Sequence, residues 1–329
     1  MTNKKLTICI PTYNRKKFVC ELVNSIIESD LLSTVDLIVI DDGSSDDTFD
    51  ALNKIEYPAD ANVRFMYQEN RGFTGTTLSF FSNCQTEYLM LADDDMVIVP
   101  DGIPKLIDFI NEIKPDFASP VWLCPDGATI SRGRRTLEKI TIPDFRMASD
   151  HGPGLVYRIT TFQSIVEQAI DSIKLEPNGV AKNFPLLYLM LYRSLYSDNF
   201  WWCPISTCGY RKTGAEPNFT VDIYGDKYGC VVPRWREHKS LAALYFSLIE
   251  KTRVNLKKQS YQKLLTMHNY SVYTRIRSSV AAESPELLPF FDGGSIFHNI
   301  RYFYSRIGAF LFYAKERWLQ KKVFVDEER

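Results

Sequence analysis

The sequence predicts an α/β fold: a mostly parallel sheet with helices on both faces, followed by a helical C-terminal region. Two observations carry this. Strand and helix patterns alternate without interruption from Leu6 to Leu123, and parallel strands need crossover connections that pack on the faces of the sheet. From Lys239 onward the apolar spacing is mainly helical, which sets the C-terminal region apart.

Leu6-Thr7-Ile8-Cys9-Ile10 reads as a short buried strand, and Lys16 to Glu28 shows helical spacing through Phe18, Leu22, Ile26 and Ile27. Val35 to Ile40 is a second strand. Ser44 or Ser45 is suited to cap a helix starting near Asp47, because a serine hydroxyl satisfies an orphan amide of the first turn. Val63 to Tyr67 is a third strand, Thr74 to Cys84 a helix, Tyr88 to Leu91 a fourth strand and Asp101 to Ile113 a long helix. A strand follows around Phe117 to Leu123. Cys124 to Pro153 carries Gly, Pro and mixed charge with weak periodicity, and reads as a long loop over the site. Leu155 to Ile159 resumes strand character, Phe162 to Ile173 and Phe184 to Tyr196 look helical, and Phe200 to Cys203 looks extended.

With 329 residues and 45% apolar content, the chain can build a large α/β domain plus an appendage, or two domains. A formal net charge of -1 argues against nucleic acid as a partner. No apolar run approaches a membrane span, and Met1 to Lys5 leads straight into a strand pattern rather than a signal peptide, so a cytoplasmic protein is expected. The seven cysteines (Cys9, Cys20, Cys84, Cys124, Cys203, Cys208 and Cys230) are scattered, and several fall in apolar elements, which argues against a disulfide framework. Cys203 and Cys208 lack a second pair or a histidine at zinc spacing.

In a parallel sheet ligands bind beyond the carboxyl ends of the strands. There the sequence places four polar clusters: Pro11-Thr12-Tyr13-Asn14-Arg15, Asp41-Asp42-Gly43-Ser44, Glu69-Asn70-Arg71-Gly72 and Asp93-Asp94-Asp95. The last ends the apolar run Tyr88-Leu89-Met90-Leu91-Ala92. Three consecutive carboxylates at the end of a buried strand repel one another and lose hydration, so something must compensate them. A hard divalent cation, Mn²⁺ or Mg²⁺, suits oxygen ligands and commonly shares them with substrate phosphates. A solvated acidic turn is the alternative.

Taken in order with Asp41-Asp42-Gly43-Ser44-Ser45-Asp46-Asp47-Thr48, these clusters resemble the family 2 glycosyltransferases of GT-A fold, over about residues 1–115. The resemblance implies a nucleotide-diphospho-sugar transferase fold with a Rossmann-like sheet. It implies that Pro11, Thr12 and Tyr13 hold the nucleoside, with Tyr13 packed on the base and Asp42 accepting from it. An acceptor-only carboxylate suits uracil, thymine or cytosine, which leaves UDP, dTDP and CDP sugars open. Arg15 and Arg71 join this donor-binding set. Asp93 would face the donor ribose or sugar, and Asp94, with Asp95, would ligate a metal that neutralises the leaving nucleotide. Trp235-Arg236-Glu237-His238-Lys239-Ser240 resembles the Tyr-Arg-x-His-x-x-Ser type of segment that often closes the catalytic domain, with the serine one residue early. His238 would then contact metal or diphosphate, and Arg236 the phosphates. Residues 1–238 are accordingly expected as the catalytic domain, with 1–115 on the nucleotide-sugar side and 116–238 on the acceptor side, and 239–329 as the helical C-terminal region.

One departure stands out. Inverting members usually carry a Glu-Asp pair before the helix expected at Phe184 to Tyr196, and its aspartate serves as general base. Here Asn178-Gly179-Val180-Ala181-Lys182-Asn183 holds no acid. Asp150 and Glu176 are the candidate bases, with Asp198 a further acid in reach. Inversion is favoured, and retention stays open.

Arg132-Gly133-Arg134-Arg135 is suited to fold over a diphosphate, or is a solvated loop. Trp201 and Trp202 suit sugar stacking or core packing. Ile296 to Phe324 interleaves aromatics with Arg and Lys, which suits an anionic inner-membrane surface or, equally, packing on the catalytic domain or a second subunit in a homo-oligomer. The leading expectation is a metal-dependent glycosyltransferase acting on a lipid-linked glycan of a bacterial surface polysaccharide, such as lipopolysaccharide or capsule. A sugar nucleotidyltransferase is weaker, since Pro11 to Arg15 has no glycine-rich phosphate loop. A non-catalytic nucleotide-sugar-binding partner of a glycan assembly complex is the third reading.

Overall fold

The computed structural model of the chain describes residues 4–127, 130–149, 152–177, 179–211, 231–283 and 285. Its strands are β1 (Leu6–Thr12), β2 (Asp36–Asp41), β3 (Val63–Tyr67), β4 (Tyr88–Leu91), β5 (Met96–Ile98), β6 (Phe117–Leu123), β7 (Ile130–Arg132), β8 (Glu138–Lys139), β9 (Val156–Arg158) and β10 (Phe200–Tyr210). Its helices are α1 (Lys16–Glu28), α2 (Thr48–Leu52), α3 (Gly72–Asn83), α4 (Gly102–Ile113), α5 (Phe145–Ala148), α6 (Ile159–Leu175), α7 (Val180–Asn183), α8 (Pro185–Arg193), α9 (Val231–Lys251) and α10 (Asn255–Glu283).

The chain divides into two compact units. The first holds Met1–Ile140, Phe145–Asp171 and Pro185–Ala215, and it contains the whole sheet. The strands run in the order β3-β2-β1-β4-β9-β6-β10-β5, with β7 on β6 and β8 on β10. β3, β2, β1 and β4 are mutually parallel, as are β6 and β10; β9 and β5 run against their neighbours. This is the mostly parallel, helix-covered sheet expected from the alternation, and it agrees with the GT-A architecture that the resemblance implies.

Burial explains the strand sequences. β2 is buried at every position and β1 at all but one, because helices cover both faces and an interior parallel strand has no wet side. β3, at the edge, is only half-buried. On one face Leu6, Ile8 and Ile10 of β1 join a core with Val19, Leu22, Val23 and Ile26 of α1 and Ile103, Leu106 and Ile110 of α4. On the other face Phe81 of α3 meets Tyr157 of β9 edge-on at 5.5 Å, and Tyr157 meets Phe162 of α6 at 5.2 Å. The rim at the amino end of β4 is closed by ion pairs: Glu87 to Lys5 at 2.9 Å and to Arg158 at 2.5 Å, and Asp116 to Arg193 at 2.8 Å. The opposite rim carries the four polar clusters.

Several expectations need correction. Neither Ser44 nor Ser45 caps the short helix α2; its preceding residue Asp47 is left-handed and makes no side-chain cap. The serines instead bind Asn14. The stretch expected as one long loop is built from β7, β8, a 3-10 turn at Ile142–Asp144 and α5 among its described residues. Phe145 explains the anchoring, since it packs edge-on against Phe200 at 5.3 Å. The arginine cluster there is not a free clamp. Arg132 and Arg134 are buried; Arg132 donates to the Pro153 carbonyl at 2.5 Å and Arg134 lies 4.8 Å above the Trp202 ring. Trp202 is fully buried and Trp201 donates to Asn199 at 2.8 Å, so packing decides both tryptophans. The extended run expected at Phe200 to Cys203 continues to Tyr210, and β5 was not anticipated at all.

The second unit comprises Thr141–Asp144, Ser172–Phe184 and Glu216–Arg329. Its described part is helical, and α9 begins at Val231, earlier than Lys239. Leu241, Tyr245 and Leu248 of α9 and Tyr261 and Leu264 of α10 are buried. The aromatic and basic stretch from Ile296 to Phe324 lies outside the described residues. No helix among the described residues is long and apolar enough to cross a membrane.

Candidate active site

The candidate site forms on the first unit, where β1, β2, β3 and β4 end side by side. Its loops are held by one another. Asn14, in a left-handed conformation with φ 53, donates its backbone N–H to Ser44 Oγ at 2.8 Å and accepts from the Ser45 N–H at 2.8 Å. Lys16 N–H reaches Asp46 Oδ2 at 3.1 Å. Gly43 has φ +81 and no room for a side chain, because an added Cβ would stand 2.9 Å from Asn70 N. This lets the loops after β2 and β3 touch.

Asp41 and Asp42 divide two tasks. Asp41 is fully buried; its Oδ1 accepts from the Ser44 N–H at 3.0 Å, while Oδ2 has no hydrogen-bond partner among the described residues. Burial raises its carboxyl above the usual range. Asp42 Oδ1 accepts from Arg71 N–H at 2.8 Å and from Gln68 Nε2 at 2.6 Å, and Gln68 also reaches Thr76 Oγ1 at 2.8 Å. These bonds aim the carboxylate, and its Oδ2 takes part in none of them. Tyr13 is 37% exposed just past the end of β1 and Arg71 is exposed, while Pro11, the penultimate residue of β1, is half-buried.

Next comes the acidic triplet. Asp94 is 3% exposed and accepts from Thr12 Oγ1 at 2.8 Å and from Arg15 Nη1 at 2.9 Å. The same Arg15 nitrogen lies 2.9 Å from Asp95 Oδ2. Burial pushes the Asp94 carboxyl up to about 6, against the pull of Arg15 and Thr12. Asp93, without such a partner, is pushed up to about 8 by lost hydration and then by Asp95 and Asp94. Arg15 and then Arg132 oppose this rise.

A model of glycosyl transferase family 2 matches residues 7–173, which takes in all four clusters and half of the chain. The chain belongs to glycosyl transferase family 2. It is 24% identical to the poly(ribitol-phosphate) beta-N-acetylglucosaminyltransferase TarS of Staphylococcus aureus over 160 residues, 47% of this chain and 28% of TarS. It is 24% identical to the dolichol-phosphate mannosyltransferase of Pyrococcus furiosus over 204 residues, 59% of this chain and 54% of that one. The matches thus span less than two thirds of either relative. In structure, it resembles S. aureus TarS 1-349 in complex with UDP-GlcNAc, with a TM-score of 0.62, 14% identity, and coverage of 92% of this chain and 79% of TarS 1-349. It also resembles the mannosyltransferase PcManGT of Pyrobaculum calidifontis in complex with GDP-Man and Mn²⁺, with a TM-score of 0.54, 15% identity, and coverage of 98% and 89%.

Within this family 2 chain, the rim gathers Pro11, Thr12, Tyr13, Arg15, Asp42, Arg71, Asp93, Asp94 and Asp95. The other candidates lie on other elements. Glu176 is exposed in the turn after α6, where its carbonyl accepts from Gly179 N–H at 2.8 Å; it belongs to the second unit. His238 is a buried residue of that same unit, with its ring 5.3 Å from that of His268 and 6.1 Å from that of Phe184. Arg236 lies in α9, and nothing is described of its side chain; Asp150 lies outside the described residues. Asp198 precedes β10 and so stands on the amino-end rim, 3.1 Å from Lys139 Nζ, which removes it as a base. Sequence reasoning missed Gln68 and Thr76. The only available signal was that Gln68 is the first polar residue after β3.

Two hard oxygen donors, Asp94 Oδ1 and Asp95 Oδ2, converge on one positive charge, and this donor chemistry fits Mg²⁺ or Mn²⁺. Among the described residues no three His, Cys, Asp or Glu side chains are grouped to hold a metal.

Proposed function

We propose that this chain transfers a sugar from a nucleotide-diphosphate donor to a hydroxyl of a glycan, with Asp94 and Asp95 holding Mg²⁺ or Mn²⁺. The convergence of both carboxylates on a single cationic nitrogen is the observation that supports this most. Family membership supports the transferase class over the nucleotidyltransferase alternative. The relatives' names and ligands support a nucleotide sugar as donor, and the dolichol-phosphate relative favours a lipid-linked acceptor.

The residues divide the work. Asp42, aimed by Gln68 and the Arg71 amide, accepts from the nucleobase through Oδ2, and exposed Tyr13 covers the base. Thr12 fixes the Asp94 carboxylate against rotation. Arg71 approaches the diphosphate as a planar cation suited to phosphate oxygens. A bound divalent ion would act as a Lewis acid that neutralises the departing diphosphate. Asp93 faces the donor sugar or ribose, where its carboxylate accepts from a hydroxyl. Asp150 and Glu176 remain the proposed bases; loss of transfer with donor binding intact in Asp150→Asn or Glu176→Gln would identify which one acts. The proposed setting is the inner face of the cytoplasmic membrane, in surface polysaccharide synthesis.

The test measures nucleoside diphosphate release from UDP, dTDP, CDP and GDP sugars, with Mn²⁺ or Mg²⁺ and with chelator. Slow metal-dependent release from one donor is expected. Full activity in chelator would remove the metal from the mechanism, and absence of both release and donor binding across the panel would overturn the transferase reading.

A further inference from the structure

We infer that Arg15 is the resident counter-ion of the acidic triplet, occupying the place of the divalent cation and leaving it for the diphosphate when metal and nucleotide arrive together. The inference rests on the donor reading proposed above and adds to it the order in which charge is exchanged.

Geometry carries the argument. A single nitrogen of Arg15, Nη1, lies 2.9 Å from Asp94 Oδ1 and 2.9 Å from Asp95 Oδ2. Arginine normally meets carboxylates through two parallel N–H bonds from its planar fork. Here the fork is not used that way. One corner of the guanidinium bridges two different carboxylates, as a point charge would, and neither Nε nor Nη2 enters these bonds. The fork is therefore available to a second anion on the same rim. Arg15 also sits at the junction of β1 and α1, where its backbone carbonyl accepts the first helical bond from Val19, so its Cα is anchored while its side chain is 23% exposed. Anchored backbone and partly exposed head allow the guanidinium to swing without refolding the loop.

Asp94 is buried beside two further carboxylates, and a charge so placed needs a partner; Arg15 supplies it and, with Thr12, keeps the Asp94 oxygens placed. A divalent ion and a guanidinium on the same two oxygens repel each other and compete for lone pairs, so each weakens the other there. Metal alone displaces Arg15 toward water with no new partner. Metal with a nucleoside diphosphate supplies that partner, and the two ligands bind cooperatively.

The experiment measures Mn²⁺ binding by the loss of its free-ion magnetic resonance signal, and nucleoside diphosphate binding by calorimetry in saturating Mn²⁺, using the full chain and the nucleotide retained from the donor panel. Arg15→Gln is expected to bind Mn²⁺ alone about tenfold more tightly than the unaltered chain, and the diphosphate at least about tenfold more weakly. Arg15→Lys, which keeps the charge, is expected to leave Mn²⁺ affinity near the starting value. Equal or weaker Mn²⁺ binding in Arg15→Gln, at unchanged Tm and circular dichroism, would overturn the inference and leave Arg15 a support for the carboxylates. If Arg15→Gln loses its fold, Arg15→Lys decides: Mn²⁺ affinity raised tenfold despite the retained charge would overturn the inference, and unchanged affinity with weakened diphosphate binding would sustain it. Failure of the underlying reading is distinguishable, since the unaltered chain would then bind no nucleoside diphosphate, or Asp94→Asn would bind Mn²⁺ as well as the original.

Discussion

At the scale of single residues, what matters most is how burial and partners separate three adjacent carboxyls. Asp95 is 41% exposed at its side chain, Asp94 is shielded and paired, and Asp93 is shielded without a direct cation. Asp94→Asn keeps the shape and removes the charge, and it is expected to lower transfer by about a thousandfold or more, read as donor turnover at saturating Mn²⁺. Asp42→Ala leaves the Arg71 amide without its acceptor and takes one of two acceptors from Gln68 Nε2, as well as removing the base contact, so nucleotide affinity should fall about 10- to 100-fold in calorimetry. The acids also set a pH dependence. Asp93 and Asp94 hold protons up to about 8 and about 6 in the folded chain, whereas an unfolded aspartate releases its proton near about 4. Their protonation therefore stabilises the fold at low pH, and this contribution disappears as pH rises through about 6 and then about 8. Thermal melts without metal should show Tm falling between pH 5 and pH 8.5, and Asp93→Asn should flatten that fall; a wild-type Tm independent of pH would contradict it. All three acids were legible as a cluster because they are consecutive. Their different protonation was not, since it depends on what covers each one.

At the scale of elements, the strands were readable where burial follows directly from covering helices. β1, α1, β2, β3, β4, α4 and β6 lie where period and composition placed them, because each pattern is local. The stretch after β6 was misread for the same reason: β7 and β8 have few residues of their own, and they exist only through pairing with β6 and β10. β10 illustrates how tightly such elements meet. Its register on β6 shifts around Ser206, and there it passes so close to the start of α4 that a Cβ on Gly102 would stand 1.9 Å from the Ser206 carbonyl oxygen. Gly102→Ala should therefore force α4 away from the sheet and cost about 2–4 kcal/mol, seen as a lowered denaturation midpoint at unchanged m-value. A neutral outcome would mean that the bulge yields freely.

At the scale of the whole molecule, ligand linkage gives a check on the donor site independent of catalysis. A ligand at a hundredfold excess over its Kd stabilises the folded state by about 2.7 kcal/mol. Nucleoside diphosphate with Mn²⁺ should raise Tm by several degrees, Mn²⁺ alone should raise it far less, and Asp94→Asn should abolish the difference. Equal shifts with and without the metal would place the nucleotide elsewhere. The sequence by itself determined the α/β class, the succession of strands and the four polar clusters at their carboxyl ends, and with them the family, because strand period, helix period and consecutive polar residues are written in neighbouring positions. Only the tertiary structure decided that Arg15 bridges Asp94 and Asp95, that Arg132 at the end of β7 and Arg134 beyond it are packed over Trp122 and Trp202, and that Asp198 stands on the amino-end rim. Arg15 and its partners are 79 and 80 residues apart, and no local pattern encodes a contact that exists only once the parallel strands have been brought side by side.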